Sequence, residues 1–347
     1  MTTAVVLYNL GGPDKPDDIK PFLFNLFNDP MIFALPQPFR WLLAKLVSSR
    51  RDKTAREIYA HLGGGSPLLA NTRAQAEALE SVLNEAGGEV YRCFVAMRYW
   101  HPFCHEAMNE VMAQKPDRIV LLPLYPQFST TTVGSMMRVW EMEARARKLD
   151  IPVTALCCYP TETGFVSTVA TSITTALDSL PADEPVRVLF SAHGLPKKIV
   201  AGGDPYQWQV EQSTNAVVAI IGREMDWVNC YQSRVGPLEW IGPATEDEII
   251  RAGKDGKSIV LVPIAFVSEH SETLVELDIE YREVADHAGV KHYLRTPTVG
   301  VDPTFIAGLA RLVHRNIANG CDICSDTGER ICGAEWSKCP ARMAGGA

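Results

Sequence analysis

Residues 258–281 read S-I-V-L-V-P-I-A-F-V-S-E-H-S-E-T-L-V-E-L-D-I-E-Y, and this stretch decides the fold. Its first part, residues 259–266, is a short apolar run rich in β-branched side chains. That is the pattern of a strand buried on both faces of a parallel sheet. The chemistry then changes abruptly. Glu269, His270 and Glu272 fall where the strand should end, and Glu272, Glu276 and Glu280 follow at intervals of four. On an α-helix such neighbours lie nearly one above the other, so the three carboxylates form a ladder leading away from the mouth of the sheet. Oxygen ligands beside an imidazole suit a divalent metal or a proton relay. Leu274, Leu277 and Tyr281 keep an apolar stripe on the same segment, which suits the wet face of an amphipathic helix equally well. The histidine favours a site, because ligands of open α/β sheets bind outside the carboxyl ends of strands.

The same alternation extends in both directions. Residues 5–10, 91–97, 118–124 and 151–157 read as strands, with helical stretches near 71–85, 106–114 and 135–148. After a helix over 164–180 and a break at 181–185 the pattern restarts. Strands follow at 186–191, 226–231, 259–266 and 290–294, with a helix over 206–223. Two series of four strands alternating with helices imply an α/β protein with two four-stranded parallel sheets, each covered by helices. The expected division is a first domain over residues 1–160 and a second over 161–302. A closing helix over 303–320 is expected to pack back on the first domain, followed by a Cys-rich tail over 321–347.

Length and composition agree. A chain of 347 residues with 46% hydrophobic and 21% charged content has enough apolar side chains for two ordinary cores. A net charge of −8 without a basic block argues against nucleic-acid binding. No basic region precedes the apolar residues 4–10, and no run reaches the roughly 18 apolar residues of a membrane span, so neither export nor insertion is expected. Residues 22–47 are dense in apolar side chains but broken by Pro30, Pro36 and Pro38, so they cannot form one helix. With Lys45, Arg50, Arg51 and Lys53 beside them, they fit either core packing or a lip for a flat apolar ligand or a membrane surface.

Of nine cysteines, Cys321, Cys324, Cys332 and Cys339 crowd into the last 27 residues. Without an export signal, such a group reads as a metal site rather than a disulfide framework. The spacing C-x2-C-x7-C-x6-C suits a four-cysteine zinc site and a [2Fe–2S] centre alike, and an unstructured tail with idle thiols is a third reading.

The strand ends gather the remaining chemistry: Arg98 and Tyr99 after the second strand, His193 inside Phe190-Ser191-Ala192-His193-Gly194-Leu195-Pro196, and Glu269, His270 and Glu272. A turn between a buried strand and Gly-Leu-Pro exposes the imidazole, and Arg98 suits an anionic substrate group. These motifs, with Asn9-Leu10-Gly11-Gly12-Pro13, Leu26-Phe27-Asn28-Asp29-Pro30, residues 63–67, Gly203-Asp204-Pro205-Tyr206 and Gly236-Pro237, closely resemble the ferrochelatase family over almost the whole chain.

The resemblance implies two Rossmann-like domains of the chelatase type with a porphyrin held in the cleft between them. It implies a lyase that inserts Fe2+ into protoporphyrin IX in the last step of haem synthesis. His193 matches the family's catalytic histidine and Glu272 its essential glutamate, with Glu269 and His270 just before it. His193 and Glu272 then meet the Fe2+ substrate, while Glu276 and Glu280 relay protons or guide the cation. Leu10, Arg98, Tyr99, Ser129 and Trp240 match the porphyrin pocket, and the apolar stretch matches its lip. Leu10 stands where coproporphyrin-type relatives tend to carry Tyr, which favours protoporphyrin over coproporphyrin III. A non-catalytic haem or metal carrier on the same fold is the alternative from another class. The tail cysteines match the [2Fe–2S] extension of many relatives. Some of those take one ligand from the loop after the third strand, where this chain has Phe128-Ser129-Thr130-Thr131. Peripheral contact with the cytoplasmic face of a membrane is expected. The oligomeric state stays open, a homodimer included.

Overall fold

Parallel neighbours need a crossover to bring the chain back to the same end of the sheet, and the amphipathic stretches between the apolar runs supply it. In chain order the elements are β1 (Thr2–Asn9), α1 (Ile19–Phe27), α2 (Phe39–Ala60), α3 (Leu68–Asn84), β2 (Val90–Met97), α4 (Cys104–Ala113), β3 (Arg118–Pro123), α5 (Val133–Arg147), β4 (Val153–Cys158) and α6 (Thr163–Asp178). There follow β5 (Val186–His193), α7 (Lys197–Ala201), α8 (Tyr206–Ile221), β6 (Asp226–Gln232), α9 (Thr245–Lys254), β7 (Ser258–Pro263), a π-helix (Glu272–Glu280), α10 (Tyr281–His287), β8 (Tyr293–Arg295), α11 (Pro303–Asn319) and β9 (Ile323–Ser325). This computed structural model describes residues 1–341 apart from 235 and 237, so Pro237 of the sequence motif and the chain beyond 341 lie outside the described residues.

The chain forms two compact units. The first takes Met1–Cys158 and Leu309–Ile331, the second Tyr159–Gly308 and Cys332–Cys339. The changeover falls before α6, and α11 is divided, its first turns counting with the second unit and the rest with the first.

The first unit holds a parallel sheet in the order β2-β1-β3-β4-β9. β1 lies inside it, and its residues 4–8 are buried. Four strands were expected here from the apolar runs; the fifth comes from the tail, with Leu156 of β4 opposite Cys324 of β9. Ahead of the prolines α1 stops at Asn28, and α2 starts after Pro38. The apolar stretch is therefore split. Phe22 and Leu23 are buried with Ile19, Tyr59, Tyr99 and Trp100, whereas Leu35, Phe39, Trp41, Leu42 and Leu46 are exposed. The loop at Gly11-Gly12-Pro13 packs on residues 63–67: Ser66 donates its N–H to the Pro13 carbonyl at 2.7 Å. A Cβ on Gly65 would collide with the Asp14 carbonyl, so only glycine fits.

The second unit holds a parallel sheet in the order β6-β5-β7-β8. β7 is buried throughout, as a central strand of a covered sheet must be. It ends at Pro263, earlier than the apolar run, where the next N–H, that of Ile264, still donates to the Ser191 carbonyl of β5 at 3.1 Å. β5 runs on to His193, which pairs with Gln232 of β6. The expected α-helix after residue 271 is instead a π-helix, with the Tyr281 N–H reaching back five residues to the Glu276 carbonyl. Its apolar stripe holds, since Leu277 and Tyr281 pack into the core with Leu189, Ile259 and Leu261. Among the described residues no helix is long and apolar enough to cross a membrane.

Candidate functional site

In the second unit the ends of β5 and β6 and the π-helix bring an imidazole and two carboxylates together. His193 closes β5, and its Nδ1 lies 2.9 Å from Glu272 Oε2. The turn beyond it requires glycine. A Cβ on Gly194 would meet the Gln232 carbonyl at 2.8 Å and the Trp240 ring at 3.2 Å, and Trp240 is in turn bridged to Pro196. Burial pulls the His193 pKa down, but the charge and hydrogen bond of Glu272, with Glu276 farther off, outweigh it and the net shift is upward. For Glu272, burial pushes upward, yet His193 and His270 win and hold its pKa at about 2. Below the raised pKa of His193 the pair is an imidazolium facing a carboxylate; above it, a neutral imidazole faces the same anion.

His270 is in a different state. Its Nδ1 accepts the Glu272 N–H at 3.0 Å, so its hydrogen sits on Nε2, and burial lowers its pKa. Its ring meets Phe266 edge-on at 4.7 Å.

Glu276 is held by four donors: Gln232 Nε2 (3.1 Å), Ser233 N–H (2.9 Å), Ser233 Oγ (2.6 Å) and Tyr281 Oη (3.1 Å). Ser233 delivers two of them from a left-handed backbone, φ 59°, a conformation non-glycine residues adopt mainly where surrounding contacts enforce it. Burial and the neighbouring Glu272 raise the Glu276 pKa despite these donors. Glu280 is exposed. The looser winding lets one helix serve separate partners, with Glu272 on His193, Glu276 on Ser233 and Asp278 on Arg295. Glu269, expected among the catalytic groups, is committed elsewhere. Its Oε1 accepts from Arg295 Nη1 (2.6 Å) and the Thr298 N–H (3.0 Å), while Arg295 grips Asp278 at 2.8 and 2.5 Å. Burial would raise its pKa, but Arg295 and these hydrogen bonds keep it low.

In the first unit Arg98 and Tyr99 follow β2. Arg98 Nη2 donates to Asp29 Oδ2 (2.9 Å) and its Nε to Ser135 Oγ (2.7 Å). Tyr99 is fully buried and its hydroxyl donates to the same Asp29 oxygen at 2.7 Å. Ser129 is also buried, its hydroxyl 2.9 Å from that of Thr131. Leu10 packs against the cluster around Tyr99 and Trp100. Asp29 and Ser135 were missed by sequence reasoning, because their partners lie far away in the chain.

A family model described as Ferrochelatase matches residues 2–317. The chain belongs to the ferrochelatase family. The family's reaction is insertion of a metal into a porphyrin for haem synthesis. The ferrochelatase of Caulobacter vibrioides (strain NA1000 / CB15N) is 51% identical over 340 residues, covering 98% of this chain and 97% of that one. That of Pelagibacter ubique is 49% identical over 315 residues, covering 90% and 91%. Among solved structures, SirB from Bacillus subtilis with Fe3+ is similar in fold, with a TM-score of 0.56 at 13% identity over 92% of this chain and 97% of that one. The sirohydrochlorin chelatase SirB with cobalt has a TM-score of 0.52 at 12% identity over the same shares.

The tail thiols expected to hold a [2Fe–2S] cluster are divided. Cys321 and Cys324 belong to the first unit, Cys332 and Cys339 to the second. Cys324 Sγ accepts from Asn316 Nδ2 at 3.1 Å and Cys332 Sγ from Gln209 Nε2 at 3.2 Å, donors that suit metal-bound thiolates. Among the described residues, however, no three His, Cys, Asp or Glu side chains stand together as a metal-holding group. The donor chemistry around Cys324 and Cys332 suits such a cluster.

Proposed function

We propose that the chain inserts Fe2+ into protoporphyrin IX to form protohaem, with release of two pyrrole protons. The observation that carries this reading is the His193–Glu272 pair. A neutral His193 donates its Nδ1 hydrogen to Glu272, which fixes the tautomer and leaves the Nε2 lone pair to take a pyrrole proton. Once formed, the imidazolium is stabilised by the anionic Glu272, whose own pKa of about 2 keeps it from taking the proton instead. Glu276, with its raised pKa, is the better proton carrier, and Glu280 meets solvent beyond it. Arg98 presents Nη1, which has no partner among the described residues, to a porphyrin carboxylate. Leu10, in place of the Tyr of coproporphyrin-type relatives, supports protoporphyrin IX.

The exposed Leu35, Phe39, Trp41, Leu42 and Leu46, with Lys45, Arg50, Arg51 and Lys53 on the same helix or beside it, support a peripheral seat on the cytoplasmic face of a membrane. The tail cysteines are proposed as ligands of a [2Fe–2S] cluster with a structural or sensing part, on their spacing and their N–H donors.

The deciding assay is anaerobic incubation of the purified chain with Fe2+ and either protoporphyrin IX or coproporphyrin III. Multiple turnovers, faster with protoporphyrin IX, are expected. Preference for coproporphyrin III would transfer the assignment to that substrate, and stoichiometric binding without turnover would make the protein a carrier.

A further inference from the structure

Asp29 is a fully buried carboxylate just past the end of α1. Its Oδ2 accepts from Arg98 Nη2 (2.9 Å), from Tyr99 Oη (2.7 Å) and, more tightly, from Ser135 Oγ. Its Oδ1 accepts the Met31 N–H at 2.8 Å, and its carbonyl accepts from Ile32 (3.1 Å) and Phe33 (2.9 Å). The Phe33 ring stacks on Phe27 with centroids 5.7 Å apart. One residue thus joins three pieces of the first unit: the start of the apolar lip at residues 29–33, the end of β2 at Arg98-Tyr99, and the first turn of α5 at Ser135.

Burying a carboxylate is costly unless it is paired and fully bonded, and here it is. The pairing leaves Arg98 in a specific state. Nε and Nη2 are taken, the guanidinium lies 4.7 Å over the Tyr99 ring, and its side chain keeps 18% exposure. A guanidinium is a rigid planar fork, so fixing its Nε–Nη2 edge fixes where Nη1 points.

We propose that Asp29 is a positioning residue for substrate binding. It holds the Arg98 guanidinium with Nη1 turned to a porphyrin carboxylate, and it fastens lip residues 29–33 to that same arginine. The inference rests on the reading of Arg98 given under Proposed function. It adds that the carboxylate-binding arginine and the lip are set by one buried anion.

The test uses the full chain, with Asp29→Asn, Arg98→Met and the double variant. Each is assayed with protoporphyrin IX and with its dimethyl ester, whose carboxylates are blocked. Arg98→Met is expected to raise KM for the free acid about tenfold, the loss of one charge-assisted contact, with kcat little changed. Asp29→Asn should match it, the double variant should be no worse than Arg98→Met alone, and the rise in KM should be markedly smaller on the ester for all of them. Hydrogen exchange in residues 29–33 should rise in Asp29→Asn. If Arg98→Met leaves KM unchanged, Arg98 does not meet the substrate and the proposal goes with that reading. If Arg98→Met acts but Asp29→Asn does not, or if Asp29→Asn impairs the ester equally, Asp29 is only structural and the proposal alone is overturned. Should Asp29→Asn fail to fold, Asp29→Glu, which keeps the charge but displaces it from Arg98 Nη2, is expected to raise KM for the free acid more than for the ester.

Discussion

Replacing Glu272 by Gln keeps the shape of the side chain and removes its charge. The folded chain holds this carboxyl at about 2 against an ordinary 4.5. At 1.36 kcal/mol per unit that is about 3 kcal/mol of preference for the ionised form. Glu272 is 29% exposed and His193 40%, so screening makes about 1–2 kcal/mol the realistic loss in Glu272→Gln. The sign with pH follows from each partner. Glu272 has a lowered pKa, so its contribution is present above 4.5 and fades as pH falls toward about 2. His193 has a raised pKa, so its contribution is full below 6.5 and fades as pH rises through the folded value. Both are complete only between about 4.5 and 6.5. Urea unfolding of parent and variant at about pH 3, 5.5 and 9 should show the largest gap at the middle value. Turnover should fall about 10²–10⁴-fold, as loss of acid–base support does. A stability gap that stays flat across the three pH values, or activity within about twofold of the parent, would refute the reasoning.

Three further outcomes are expected. His193→Ala should abolish metal insertion while porphyrin binding, followed by absorbance, survives; retained turnover would remove the imidazole from the proton path. Anaerobically purified protein should be reddish with thiolate charge-transfer bands, lost in Cys→Ser changes at 321, 324, 332 or 339 and kept in changes at 157 or 158. Colourless protein with one zinc would replace the cluster. The chain should float with anionic vesicles at low salt and lose this in a Phe39→Ser/Trp41→Ser variant; indifference to both changes would leave the exposed side chains as a substrate gate.

Much of the fold was legible because a strand covered on both faces leaves an unbroken apolar run, as β1, β3, β5 and β7 do. β9 was not, since three residues show no period. The π-helix was invisible because carboxylates four apart suit either winding, and what distinguishes them is the set of partners at His193, Ser233 and Arg295. The meeting of His193 with Glu272 was legible from their places at strand ends and from the family resemblance, and Glu276 stood out only by its spacing of four from Glu272. Asp29 was not. Leu-Phe-Asn-Asp-Pro reads as an ordinary helix stop, and the partners Tyr99 and Ser135 lie 70 and 106 residues away. Nor does any local pattern reveal that Glu269 is spoken for by Arg295, a residue 26 positions further on.

The place of β9 beside β4 has a consequence for synthesis. Ala155 of β4 takes its neighbour from Ile323, so the first sheet lacks its last strand until the ribosome has passed that residue. At about 5–20 residues per second, the outer edge of β4 waits roughly ten to thirty seconds on the ribosome with its ladder groups uncovered. Such an edge is a template for pairing with another chain. A nascent chain stalled before residue 323 should therefore be sticky in a way the finished protein is not, and chaperone occupancy should drop as β9 emerges.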